Sequence, residues 1–258
     1  MAGGPAGHGV PRPVPVRVDV EYRAGVTIVR LAGTLTMHTA PAVRGRLLKC
    51  LADCPDALIV DVADLATESD GPLTVLRVVQ RQAHRWPGIP MLLCRPDSAL
   101  AEQLTRPGPD RYPPFHPSIE RAIAALDRPV LARPTIHTDL LSTPEACPRA
   151  RDVVFHACQD WDLANAADPA ELVVSELVSN AVRHGWPPLH LLLAVRGERL
   201  HIAVRDGNPA LPQASPAAPP PSVPSGRGLH LINTLATAWG AMPSTDGKVV
   251  WATLRAAP

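Results

Sequence analysis

Along this chain the spacing of apolar positions switches repeatedly between the period of a strand and the period of a helix. Arg17–Tyr22 and Val26–Leu31 alternate apolar and polar residues around Arg23-Ala24-Gly25, which predicts a β-hairpin. Thr39–Leu51 brings Val43, Leu47, Leu48 and Leu51 to helical spacing behind a Thr-Ala-Pro start. Ala57–Val62 and Ile89–Cys94 are short, almost wholly apolar runs, the pattern of buried strands. Leu73–Trp86 and Ser118–Leu126 read as helices. Apolar strands alternating with amphipathic helices predict an α/β layer for this half.

Composition changes at Asp127–Pro134 (DRPVLARP), which reads as a linker. Beyond it Ile136–Leu140 suits an edge strand, and Cys147–Trp161 and Pro169–His184 suit helices. Leu189–Val195 and Leu200–Arg205 form a second predicted hairpin. A Pro-rich loop over Asn208–Pro224, a helix over Leu229–Thr237 and a strand over Val249–Leu254 complete the pattern. The expected organisation is a Pro/Gly-rich tail over 1–16, a first domain over 17–127, a linker over 128–134 and a second domain over 135–258.

Bulk properties remove several function classes. A net charge of +1 supplies no basic field for nucleic acid, and 3% aromatic residues leave little for base stacking. No apolar run approaches the eighteen or so residues of a membrane span, and the first residues lack the apolar core of a signal peptide. The five cysteines are odd in number and never spaced C-x-x-C. They are therefore expected to be reduced, small apolar residues of a cytoplasmic protein rather than disulfides or zinc ligands.

Chemistry concentrates in the second half, where neither a G-x-x-x-x-G-K-[ST] loop nor a G-x-G-x-x-G turn occurs. In ELVVSELVSNAVRHG, residues Leu172, Val173, Leu177 and Ala181 form an apolar stripe, whereas Glu176, Asn180 and His184 share another face at i, i+4 and i+8. An amide oxygen at Asn180 can ligate Mg²⁺, and a carboxylate at Glu176 can accept a proton from an attacking hydroxyl. Asp206, where the second hairpin ends, can accept a hydrogen bond from the adenine amino group, which a guanine carbonyl could not offer; Gly207 beside it allows the base to approach the backbone. Ser225–Leu229 (SGRGL) places glycines before a helix, whose N–H groups and dipole favour phosphate.

The order and spacing of these pieces resemble the N, G1 and G2 boxes of the GHKL superfamily of gyrase, chaperone, histidine-kinase and mismatch-repair ATPases. ELVVSELVSNAVRHG, VRDGNPALP, SGRGLHLINTLATAWG and GKVVWATL look most like its anti-sigma-factor serine kinases, over roughly Ala132–Pro258. The resemblance implies an ATP-binding α/β sandwich of the Bergerat type. By motif, it makes Glu176 the general base and Asn180 the Mg²⁺ ligand. Asp206 and Gly207 would hold adenine, and Gly226, Arg227, Gly228 and Leu229 the phosphates. Asn208 stands where the family has a second glycine, Lys248 and Val249 stand where many relatives carry threonine, and the Asn208–Pro224 lid has no charged residue.

The first half resembles the STAS fold of anti-sigma-factor antagonists through VTIVRLAGTLTMHTAPAVRGRLL, ALIVDVADLATESDGPLTVL, IPMLLC and SIERAIAAL. In that family the loop after the second of these strands carries a phosphorylated serine. Ungapped alignment puts Ser69 at the family aspartate and Asp70 at the acceptor position. Three readings stand: Asp70 mimics the phosphorylated state, Ser69 is still the acceptor, or the module serves only for docking.

The expectation from both halves is an α/β (α+β) protein with a STAS-like sheet followed by a GHKL ATP-binding sandwich. It is expected to use ATP and Mg²⁺, to phosphorylate a STAS-type antagonist or bind a sigma factor, and to make contact with neither nucleic acid nor membrane; kinases of this branch are often homodimers. The alternative is a non-catalytic, nucleotide-gated binding module. A histidine kinase is disfavoured because no dimerisation helix with a phospho-acceptor histidine precedes the ATP domain.

Overall fold

The computed structural model describes residues 15–105, 112–126, 134–212 and 227–256. The expected tail up to residue 14, residues 127–133 of the linker, residues 213–224 of the expected lid and Ser225 and Gly226 of the phosphate motif lie outside the described residues.

The first half is a five-stranded sheet in the order β1-β2-β3-β4-β5, built from β1 (Arg17–Arg23), β2 (Val26–Leu35), β3 (Ala57–Thr67), β4 (Met91–Cys94) and β5 (Phe115–His116). The first pair is antiparallel and the rest parallel. The turn between β1 and β2 puts Ala24 and Gly25 at φ 47° and 81°, a two-residue turn of the kind whose twist matches the hairpin. One face of this sheet carries α1 (Ala40–Ala52) and α2 (Thr74–Arg85), which bury Val43, Leu47, Leu51, Leu76 and Val79. On the other face α4 (Ile119–Ala124) sets Ile119 and Ala122 over Val26, Ile28, Ala57 and Ile59. With both faces covered, β3 shows no alternation in ALIVDV. β3 continues to Thr67, beyond its expected end at Val62, and α3 (Ser98–Thr105) was not expected at all.

The second half is an antiparallel sheet in the order β6-β7-β8-β10-β9. Its strands are β6 (Thr135–Leu140), β7 (Leu189–Arg196), β8 (Arg199–Asp206), β9 (Ala238–Pro243) and β10 (Lys248–Arg255). Among the described residues three helices accompany it: α5 (Ala146–Asp160), α6 (Ala164–His184) and α7 (Arg227–Leu235). Two expectations need correction. α6 starts more than a turn before Pro169, and Leu172 is 51% exposed. The inward stripe is instead Val173, Val174, Leu177, Val178 and Ala181, because the helix presses a broad face on the sheet and on α5. Strand β9 had no counterpart in the sequence reading.

Every second residue of β8 and β10 faces these helices: Leu200, Ile202 and Val204, with Val250, Ala252 and Leu254. The intervening Ala203, Val249 and Trp251 point the other way and join one buried cluster with Met242 and the side chains of α1 and α2. The first half therefore closes the back of the second sheet. Trp86, just after α2, stacks on Trp251 with ring centroids 5.9 Å apart and planes 13° from parallel. Gly88 lies against His201, where a Cβ would come 2.8 Å from the ring. Arg205 Nη1 donates to Asp53 Oδ1 at 2.8 Å, and Arg196 lies 3.8 Å from Asp56.

Candidate functional site

The front of the second sheet holds a cavity of about 360 Å³ between α6, the start of α7 and the beginning of β10. Helical spacing brings Glu176, Asn180 and His184 onto its wall, together with Arg183. Gly228 and Leu229, in the first turn of α7, form the facing wall. A Cβ at Gly228 would collide with Glu176 Oε2, so the carboxylate reaches the helix N-terminus only because residue 228 has no side chain. Gly226 lies outside the described residues, and Arg227 opens α7.

The opposite end is built around Asp206, the last residue of β8 and only 1% exposed. Its Oδ1 accepts from Lys248 Nζ at 2.8 Å and from the Asn208 backbone N–H at 2.8 Å. Its Oδ2 is buried with no hydrogen-bond partner among the described residues. Gly185, just past α6, packs on this side chain, where a Cβ would come within 2.8 Å of Asp206 Cγ. Glu176 lies nine residues back along α6, roughly 13 Å at 1.5 Å per residue. One cavity thus runs from a carboxylate and amide at one end to Lys248 at the other, with Asp206 buried behind the lysine.

Not every expected residue lies where its motif suggested. Asp206 stands behind the cavity wall, and Lys248 is the member of the pair that lines it. Gly207 does not line this cavity: its N–H donates to Trp186 O at 2.7 Å, and a Cβ would approach Pro187 O to 2.9 Å. The glycine is needed for that chain crossing. Asn208 ties the loop to α6 by donating from Nδ2 to His184 O at 2.7 Å. Lys248 stands out in the sequence only as a departure from the threonine of many relatives, and Arg183 carries no signal beyond its helical position.

Ser69 and Asp70 are exposed in the loop after β3. Thr67 Oγ1 donates to Ser69 O at 2.8 Å, and Asp70 O accepts from Leu73 N–H at 3.2 Å. Neither residue lines the cavity. The loop precedes α2, whereas the contacts with the second sheet come from Arg85 and Trp86 at the helix's far end, about 18 Å away along its axis.

The residues present suit a nucleotide with Mg²⁺. The volume falls in the range of small-ligand sites. Asn180 offers a hard oxygen, the first turn of α7 at Gly228 and Leu229 faces the cavity, and Lys248 brings N–H donors to its wall. Among the described residues no cluster of three or more His, Cys, Asp or Glu forms a separate metal site, and no helix is long and apolar enough to cross a membrane.

Comparison with known proteins agrees with this division. Residues 140–254 match the model of the histidine kinase-like ATPase domain, and residues 17–122 match that of the STAS domain. No curated protein gave a significant match. Among solved structures, an anti-sigma factor antagonist from Mycobacterium paratuberculosis is 28% identical, over 43% of this chain and 92% of that one, with a TM-score of 0.35. The phosphorylated form of the Bacillus cell fate determinant SpoIIAA is 17% identical, over 42% and 97%, with a TM-score of 0.33. The RsbU and RsbW domains of a Mycobacterium tuberculosis protein align with 85% of this chain and 47% of that one, at 14% identity and a TM-score of 0.37. The chain thus joins a STAS domain to a histidine kinase-like ATPase domain of the GHKL type.

Proposed function

We propose that this protein is an ATP-dependent serine kinase of the anti-sigma-factor type, acting on a STAS-type antagonist carried by another chain. The carrying observation is the single cavity that has Glu176, Asn180 and Gly228 at one end and, at the other, Lys248, held from behind by Asp206. Residues of α6 and the first turn of α7 would hold the phosphates, and Asn180 would offer its amide oxygen to Mg²⁺. Bound there, the ion balances phosphate charge. Glu176 accepts the proton of the acceptor serine as its oxygen replaces ADP on the γ-phosphorus. The nucleobase would sit toward the C-terminal end of α6, near Lys248.

The position of Ser69 and Asp70 supports a substrate on another molecule, since they sit far from the cavity of their own chain. The likeness to an anti-sigma factor antagonist and to RsbU and RsbW domains supports a sigma-factor pathway as the setting and antagonist and sigma factor as partners. The test is transfer of labelled phosphate from ATP to a purified antagonist. Wild type is expected to transfer, and Glu176→Ala to lose at least about a hundredfold in rate. ATP binding with no transfer to any antagonist would replace the kinase by a nucleotide-gated binding module.

A further inference from the structure

We propose that Lys248 reads the nucleobase and that the cavity therefore accepts a 6-oxo purine nucleotide about as well as a 6-amino one. The proposal rests on the nucleotide reading of the site. A lone carboxylate at the base end would choose an amino group and refuse a carbonyl. In this protein the carboxylate is not alone. Asp206 Oδ1 is taken twice, by Lys248 Nζ at 2.8 Å and by Asn208 N–H at 2.8 Å. Oδ2 is buried, and Asp206 does not form part of the cavity wall.

Lys248 does line the cavity, although it is only 4% exposed. β-Sheet register fixes this arrangement, because Lys248 at the start of β10 is the direct partner of Asp206 at the end of β8. The ammonium has three N–H bonds and no acceptor. Two of its protein partners are Asp206 Oδ1 and, at 3.1 Å, Asn208 O. Its remaining N–H suits an acceptor on the base. Adenine N1 is such an acceptor, and so is the O6 of hypoxanthine or guanine, which lysine commonly recognises. A cation at the wall thus removes the penalty for a carbonyl that an exposed aspartate would impose.

The experiment measures equilibrium binding of ATP and of inosine triphosphate, which carries O6 without the bulk of a 2-amino group, to the full chain with Mg²⁺. In wild type the two affinities are expected to agree within tenfold. In Lys248→Thr the ratio should move at least tenfold toward ATP, with a melting curve confirming that the variant folds. A wild-type preference for ATP greater than tenfold would overturn the proposal, as would an unchanged ratio in Lys248→Thr. Should that variant not fold, the wild-type ratio decides alone. Binding of ATP only would leave the nucleotide site standing and remove the role of Lys248, whereas binding of neither nucleotide would remove the site reading itself.

Discussion

Trp86 of the STAS domain and Trp251 of the ATPase domain stack nearly parallel at 5.9 Å, both almost wholly buried. Two domains that share such a contact are expected to unfold together. Trp86→Ala removes the larger part of it and is expected to cost about 3–5 kcal/mol. Urea denaturation of the full chain checks this, and a loss well under 1 kcal/mol would mean that the domains do not depend on their shared core.

Arg205 links the same interface to the loop before β10. Burial pushes the Asp246 carboxyl upward, but the hydrogen bond and charge of Arg205 outweigh it and hold the group below its ordinary value of 3.8. A lowered carboxylate contributes stability that is complete above 3.8 and is lost as pH falls through the lowered value. Arg205→Ala should therefore be less stable than wild type at neutral pH, with the gap narrowing under acid. Urea midpoints compared at neutral pH and near pH 3 read this out; a gap that stays constant or widens would contradict it.

Gly185 closes α6 against Asp206, and a Cβ there would strike Ala181 O as well as the Asp206 side chain. The backbone oxygen cannot swing aside as a flexible side chain can. Gly185→Ala is expected to lose about 1–3 kcal/mol of stability and to weaken nucleotide binding along with it. Gly228→Ala instead meets the movable end of Glu176. It should slow transfer more than it weakens binding, a split that kcat and KM would show.

The cysteines are set for inertness. Burial pushes Cys54 up to about 12 and Cys50, Cys94 and Cys158 to about 11, and it raises the half-buried Cys147 as well. Thiolate is the reactive form, so alkylation of the native protein at pH 8 is expected to be slow. Mass spectrometry should find Cys147 modified first; rapid labelling of Cys54 would show that the domain interface opens.

Much of this architecture was legible because burial leaves a periodic trace. The helix with Glu176 and Asn180 and the apolar runs of β3 and β10 stood out, each being long or strongly patterned. Strand β9, AWGAMP, was missed because its residues are mostly half-buried and obey neither period. The domain interface was hidden for a related reason. Val249, Trp251 and Ala203 read as ordinary strand residues until the second sheet face was seen to be covered. Lys248 was legible as a departure from a family pattern, but its pairing with Asp206 depends on the β8–β10 register, which no local signal encodes.

The central claim is that the front cavity of the second sheet binds ATP with Mg²⁺ through α6. Calorimetric titration of ATP with Mg²⁺ into the full chain tests it most directly, with Asn180→Ala as the comparison. Binding by wild type that weakens at least tenfold in Asn180→Ala is the expected result. No heat of binding in wild type, or equal affinity in the variant, would contradict the account.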